Sequence, residues 1–282
     1  MKTITGRDLL KPDPRIRPDA RLPGKGTGED IGYSSSSTAL EPIPVGLLRL
    51  DMSRFGALLD KEAMQTVLDK SYPDITLERT HHLNLEGDIE RALNLYIVHP
   101  VNLMFEDYLD REGAPKRRIL TCKSQVTDKH KGSVRVDMVW FVDKKAILAM
   151  EVKRSRAIRM HEWRAALPPG YTLQQQEQRL HALVQTERAS AAQRGIHDFK
   201  SLICGNAEKI MRQVHKYFRR YDAPNALVFD WSHMILLDLK PGDTTIPQIH
   251  PADGDVDWTF RKLLLVALLD GLTRVWKDED EA

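Results

Sequence analysis

The sequence predicts an α/β domain in which a mixed central sheet is flanked by helices. Three observations carry this. Residues 134–142 and 146–152 are apolar runs of strand length, rich in Val, Ile, Phe, Trp and Met, with a short polar break between them. Helical patterns precede and follow that pair. Two more strand-like runs, 226–231 and 234–239, come after the later helices. A chain of 282 residues is long enough for one large core or two modest ones.

In chain order, residues 1–45 are rich in Pro, Gly and Ser and read as a flexible N-terminal arm. The run GKGTGED at 24–30 lacks the Lys-Ser/Thr ending of a phosphate loop and follows no strand. The folded domain is expected over 46–276. Ser53 is placed to cap a helix to about residue 68, with Phe55, Leu58, Leu59, Met64 and Leu68 on its apolar side. Residues 71–74 read as a turn, and His81 and His82 as loop residues. A second helix begins near Glu86. Glu86, Asp88 and Glu90 crowd its first turns. They suit the helix dipole there, or one of them reaches a site formed by the strands that follow. Residues 111–133 carry Lys116, Arg117, Arg118, Lys123, Lys129 and Lys131. They form either a solvated loop with a short strand at 119–122 or a phosphate-contacting edge.

The two apolar runs form an antiparallel hairpin, with Asp143-Lys144-Lys145 as a three-residue connection. If Val142 faces Ala146, Asp137 falls opposite Glu151, with Cβ atoms about 4.5–5.5 Å apart. Lys153 shares that face, as do Val139, Phe141, Ile147 and Ala149. Val134, Val136, Met138, Trp140, Leu148, Met150 and Val152 lie on the other. A hairpin apolar on both faces belongs inside a sheet. Two repelling acids at the end of such a sheet call for a counter-charge, and a divalent cation is the obvious one.

After Lys153 come Arg154, Arg156 and Arg159, then a break at Pro168-Pro169-Gly170. Residues 172–194 form an amphipathic helix with a narrow stripe of Leu173, Leu180, Leu183 and Val184. A further helix covers about 200–221. Gln213 and Tyr217 share one of its faces, and Lys209, Arg212, Lys216, Arg219 and Arg220 make it basic. Pro224-Asn225 ends it. The strands at 226–231 and 234–239, joined by Ser232-His233, extend the hairpin sheet. Residues 241–257 read as a polar loop, 258–276 as a core helix and 277–282 as an acidic tail.

The net charge is only +2, so any nucleic-acid site must come from local clustering of cations. Cys122 and Cys204 are too few for a disulfide framework and fit a reducing compartment. No apolar leader or membrane-length segment is present, which sets the expectation of a cytoplasmic or nuclear protein without a membrane partner.

An acid-bearing helix, an Asp strand, a Glu-x-Lys strand, a Gln-x-x-x-Tyr helix and further strands follow one another. This order resembles the PD-(D/E)xK nuclease superfamily, and more narrowly its uncharacterised fungal members carrying the QxxxY motif. Asp137, Glu151-Val152-Lys153 and Gln213 to Tyr217 carry the resemblance, which spans about 86–239. No Pro precedes Asp137 in Arg135-Val136-Asp137, and the long interval after Lys153 implies an inserted helical segment at about 155–198.

The resemblance implies a restriction-endonuclease-like core and metal-dependent hydrolysis of phosphodiester bonds, in DNA before RNA. It implies Asp137, Glu151, Lys153, Gln213 and Tyr217 as catalytic. It implies Mg²⁺ or Mn²⁺ on Asp137, Glu151, the Val152 carbonyl and the upstream acid Glu86, with Glu90 as the alternative acid. Arg154, Arg156, Arg159, Arg212, Lys216 and Arg220 would hold phosphates. The competing reading is a catalytically inactive scaffold of the same fold that binds nucleic acid or protein. A further reading, of a different class, is a fungal interaction or effector protein whose hairpin acids merely form a salt bridge with Lys153.

Overall fold

The computed structural model describes residues 3–12, 30–31, 36–39, 41–74, 86–111, 118–127, 135–170, 172–196, 198–239, 248–252 and 258–280. The N-terminal segment is docked where it is described, in contrast to the flexible arm expected from its composition. Strand β1 (Thr3–Thr5) and helix α1 (Gly6–Leu10) open the chain, and Leu9 and Leu10 enter the main core. A short helix α2 (Ser36–Ala39) and a two-residue strand β2 (Leu48–Arg49) follow. The helix expected at 53–68 is broken into α3 (Ser53–Leu59) and α4 (Glu62–Asp69), with Lys61 in extended geometry between them. Met52, not Ser53, is the N-cap and offers no side-chain cap, while Asp51 before it accepts the Ser53 N–H at 2.9 Å. The expected turn at 71–74 contains β3 (Ser71–Pro73), which pairs with β1.

Glu86 begins the second helix as expected. It runs as α5 (Glu86–Leu93), a π-helical turn (Asn94–Val98) and α6 (His99–Arg111). The wide turn lies just before Pro100, which has no N–H to give to the ladder. Then come β4 (Leu120–Thr127), longer than the short strand expected, β5 (Arg135–Val142) and β6 (Lys145–Val152). Two helices, α7 (Met160–Ala165) and α8 (Leu173–Gln193), fill the expected insertion. Helix α9 (Gly205–Tyr221) starts five residues later than expected. Strands β7 (Asn225–Phe229) and β8 (Met234–Asp238) are joined by residues 230–233, a longer turn than Ser232-His233 alone. The expected polar loop contains β9 (Gln248–Ala252), and α10 (Phe260–Asp280) closes the chain, running into the expected tail.

The main sheet has seven strands in the order β2-β9-β8-β7-β6-β5-β4. It is mixed: β6 and β7 are parallel, while β4–β5, β5–β6, β7–β8 and β8–β9 are antiparallel. Met138, Trp140, Leu148, Met150, Leu227, Phe229 and Leu236 face one core, shared with α3–α6 and α10. Ala226, Val228, Ile235 and Leu237 face another, shared with α7 and α9. Helices on both faces explain why the central strands read as continuous apolar runs. No helix among the described residues is long and apolar enough to cross a membrane.

The hairpin register differs from the simple one in two compensating ways. Val142 pairs with Lys145, so the loop is Asp143-Lys144 alone, both at positive φ (48° and 72°), as a type I′ turn requires. The register then shifts by one: Phe141 pairs with Ala146 but Trp140 pairs with Leu148. Ile147 is the extra residue of a β-bulge, and it joins the α10 side of the sheet rather than the acid side. Without it, Asp137 would face Met150, and Glu151 would turn to the other face. With it, pairing runs on through Met138–Met150 toward Asp137 and Glu151.

Candidate active site

Asp137 and Glu151 sit on neighbouring strands on the face covered by α9, both buried. The Asp137 Oδ2 accepts the Val152 N–H at 2.7 Å. Lys153 follows β6. Its N–H continues the ladder to the Phe229 carbonyl at 2.7 Å, and its ammonium is bonded to Glu151 Oε1. Glu151 Oε2 accepts the Tyr217 hydroxyl at 2.5 Å, and Gln213, one turn earlier on α9, hydrogen-bonds that hydroxyl. Four of the five residues expected to be catalytic, Glu151, Lys153, Tyr217 and Gln213, thus form one bonded chain, with Asp137 beside it.

The start of α9 explains how Tyr217 is aimed. Gly205 has φ 62°, a left-handed value suited to glycine, and a side chain there would collide with the Glu162 carboxylate. That buried carboxylate accepts the Ala207 N–H at 2.9 Å, so α7 caps α9. Ile210, Met211 and Val214 then seat α9 on β7 and β8, leaving Gln213 and Tyr217 over β6.

Burial and the mutual repulsion of the acids shift the titration of this cluster. Burial, followed by the Glu151 charge, pushes the Asp137 carboxyl up to about 8. Burial likewise raises Glu151, against the pull of Lys153 and Tyr217. Burial works against the Lys153 ammonium, but Glu151 and the other acids outweigh it and hold its pKa above the usual value. Burial and the Glu151 charge raise the Tyr217 phenol well above its ordinary range, so it stays a donor.

Glu86, on the exposed first turn of α5, contributes negative potential at Asp137, Glu151 and Lys153. Helix α5 therefore does converge on the hairpin. Glu86 does not complete a ligand set, however: among the described residues no group of three or more His, Cys, Asp or Glu side chains is arranged to hold a metal ion. Val152 enters through its amide, on Asp137.

The donor chemistry nevertheless suits a hard divalent cation. Ionised, Asp137 and Glu151 lie beside the Lys153 ammonium, with Glu86 adding negative potential, a local excess of negative charge that such an ion offsets. Asp137 and Glu151 are the residues that would hold it, with water completing the shell.

The expected phosphate contacts divide. Arg212 is buried and ion-paired with Glu208 at 3.0 Å, and it also donates to the Glu41 carbonyl, so it fastens the N-terminal segment to α9 instead of facing solvent. Arg159 pairs with Asp30 at 2.9 Å and Glu162 at 3.3 Å. Arg154 donates to the Asp30 carbonyl at 3.3 Å. Arg156 is exposed in the loop after Lys153, and Lys216 and Arg220 are half-buried on α9. Of the basic 111–133 stretch, Lys116, Arg117, Lys129 and Lys131 lie outside the described residues, as do His81, His82 and the 24–29 part of GKGTGED. A cleft of about 590 Å³ between β3, α6 and the start of β4 lies at the turn end of the hairpin, away from the acids.

Asp230 escaped sequence reasoning. It is fully buried beyond the end of β7 and accepts N–H groups from Ile158, Ser232 and His233. Its signal was present: an Asp opening a tight Asp-x-Ser-His connection is an Asx-turn pattern.

Compared with family models, curated proteins and solved structures, the chain matches none. The functional reading therefore rests on the site.

Proposed function

We propose that this chain is a metal-dependent nuclease of the PD-(D/E)xK type, built on a restriction-endonuclease-like core and hydrolysing phosphodiester bonds in DNA. One observation supports it above the others. Segments far apart in sequence bring Asp137, Glu151, Lys153, Gln213 and Tyr217 together beside the C-terminal end of β6, which pairs in parallel with β7. Carboxyl ends of parallel strands are where open α/β sheets bind ligands.

In this reading Asp137 and Glu151 hold Mg²⁺ or Mn²⁺. The bound ion would lower the pKa of water and offset charge on the phosphate. Lys153 faces the water and the developing negative charge. Tyr217, held by Gln213, fixes one Glu151 oxygen so that the other is aimed with Lys153. In the net reaction the water oxygen bonds to phosphorus, the bond from phosphorus to one sugar oxygen breaks, and a water proton ends on the released hydroxyl. Arg156, Lys216 and Arg220 would meet flanking phosphates.

A second reading has its own observation. Both Glu151 oxygens are already satisfied within the protein, by Lys153 and Tyr217, as an inactive scaffold would have them.

Cleavage of plasmid, single-stranded DNA and RNA in Mg²⁺ or Mn²⁺ separates the two. The nuclease reading expects metal-dependent cutting that disappears in Glu151→Ala and Lys153→Ala while the fold is kept. A folded wild type that binds no Mn²⁺ and cuts none of these substrates leaves only the scaffold.

A further inference from the structure

Asp230 has no part in the chemistry just described, yet it joins the two loops that border the site. Its Oδ1 accepts Ser232 N–H at 3.0 Å and His233 N–H at 2.8 Å, closing its own turn. Its Oδ2 accepts Ile158 N–H at 2.7 Å, and the carboxylate also takes the backbone N–H of Arg156. One side chain therefore ties the loop after β7 to the loop after β6, at the same end of two parallel strands.

Each of those loops contains a non-glycine residue in the left-handed region, Arg156 at φ 64° and Trp231 at φ 68°. The Ala157 N–H bonds the Arg154 carbonyl at 3.2 Å, so 154–157 is a β-turn with Arg156 in its third position. Glycine is the usual residue at a positive φ there, and the arginine Cβ is strained in that conformation. Such strain persists where surrounding contacts over-determine the backbone, and it gathers at ligand sites. The contacts here are the Asp230 carboxylate and Asn206, whose Nδ2 donates to the Ala157 carbonyl at 3.0 Å. They hold an exposed guanidinium three residues after Lys153.

We propose that Asp230 is a positioning residue for substrate: it locks the 154–158 turn so that Arg156 grips a phosphate flanking the one at Lys153. The proposal rests on the nuclease reading above and names a residue outside the acid–lysine set. Asp230 does not touch the nucleic acid; it acts through the turn.

The test is steady-state cleavage of a duplex oligonucleotide in Mn²⁺ by wild type, Asp230→Asn, Arg156→Gly and the double variant. Asn keeps the size but replaces one acceptor oxygen by a donor. Gly suits the backbone and lacks the cation. Each single change is expected to raise KM about tenfold while kcat moves less than about threefold, and the double variant is expected to be no worse than either. Arg156→Gly should also reduce the salt slope of binding by about one. The proposal is overturned if Asp230→Asn lowers Tm and leaves KM alone, if it lowers kcat at constant KM, or if the two losses add. Should Asp230→Asn not fold, Asn206→Ser loosens the same turn from its other anchor, and an unchanged KM there overturns the proposal equally. If wild type neither binds nor cuts nucleic acid, the nuclease reading fails, and with it the phosphate role of Arg156. Amide exchange then decides the brace itself: faster exchange at Arg156 and Ile158 in Asp230→Asn supports it, and unchanged rates overturn it.

Discussion

Gly271 of α10 lies directly against the Ile147 carbonyl, at the bulge that brings the site's two acids onto one face. A Cβ at position 271 would collide with that carbonyl oxygen and approach its carbon to 3.0 Å. The helix can close on the bulge only because residue 271 has no side chain. Elsewhere in a helix, Gly→Ala stabilises by up to about 1 kcal/mol. Here Gly271→Ala is expected to destabilise, by about 1–3 kcal/mol, because backbone must move in a packed core. Urea unfolding gives the sign. On the nuclease reading, cleavage should fall as well, since the displaced bulge sets the register of Glu151.

Tyr217→Phe removes the 2.5 Å donor from Glu151 Oε2 and leaves the ring packed against the sheet. A hydrogen bond to a charged group contributes about 1.5–3 kcal/mol. Groups that orient a metal-holding carboxylate typically change activity or metal affinity by about 10–100-fold. The variant is therefore expected to fold, to bind Mn²⁺ more weakly and to cut at least tenfold more slowly. Gln213→Leu should act in the same direction by a smaller factor, because it reaches Glu151 only through the tyrosine. Equal activity in Tyr217→Phe and wild type would remove the α9 residues from the site.

The placement of the site residues was more legible than the scaffolding around them. Alternation places Glu151 and Lys153 on one face of their strand, and facing Val142 with Ala146 sets Asp137 opposite Glu151 on that same face. The bulge was not legible: Ile147 is one more apolar residue in an apolar strand. A three-residue loop and a two-residue loop followed by a bulge give the same register at the acids. Arg212 shows a different limit. Its i,i+4 partner Glu208 was visible in the sequence, but its other partner, the Glu41 carbonyl, comes from the N-terminal segment. That segment looked flexible because it is rich in Pro, Gly and Ser, yet Leu9 and Leu10 enter the core and β1 pairs with β3 to dock its start. Strand β9 had little signal, because Gln-Ile-His alternates over three residues only and Pro251 argues against a central strand.

At the other end of the sheet, Asp238 and Asp270 are held by Arg274 and Arg54, and Asn225 bonds Asp270 at 2.9 Å. Arg274 bonds Asp238 at 2.6 Å, and that carboxylate is almost fully buried. Removing one partner of a buried pair leaves an uncompensated charge and costs about 3–5 kcal/mol. Arg274→Met should fall near the lower end, about 3 kcal/mol, because Arg54 remains on the other Asp238 oxygen. The loss should appear in denaturant midpoint and not in kcat measured where the variant is folded, since Asn225 and Asp238 pair at the opposite end of β7 and β8 from the acids. A selective loss of kcat would tie this cluster to catalysis instead.

Asp137, together with Glu151 and the buried Asp230, makes stability depend on pH. The folded-state pKa of Asp137 is raised to about 8, against about 3.9 for an unfolded aspartate. Between those values the folded protein holds a proton that the unfolded chain has lost, so stability falls as pH rises through the interval. Glu151, also raised by burial, adds to the same slope. Without metal, thermal unfolding should therefore move to lower temperature from about pH 5 to pH 8. Asp137→Asn should flatten that trend. A divalent cation competes with the protons for the same oxygens. Mn²⁺ is expected to raise the unfolding temperature more at pH 8 than at pH 6, and to do so little in Asp137→Asn. Scanning calorimetry across that range, with and without Mn²⁺, reads both effects. Metal stabilisation that is independent of pH, or that survives in Asp137→Asn, would place the ion elsewhere.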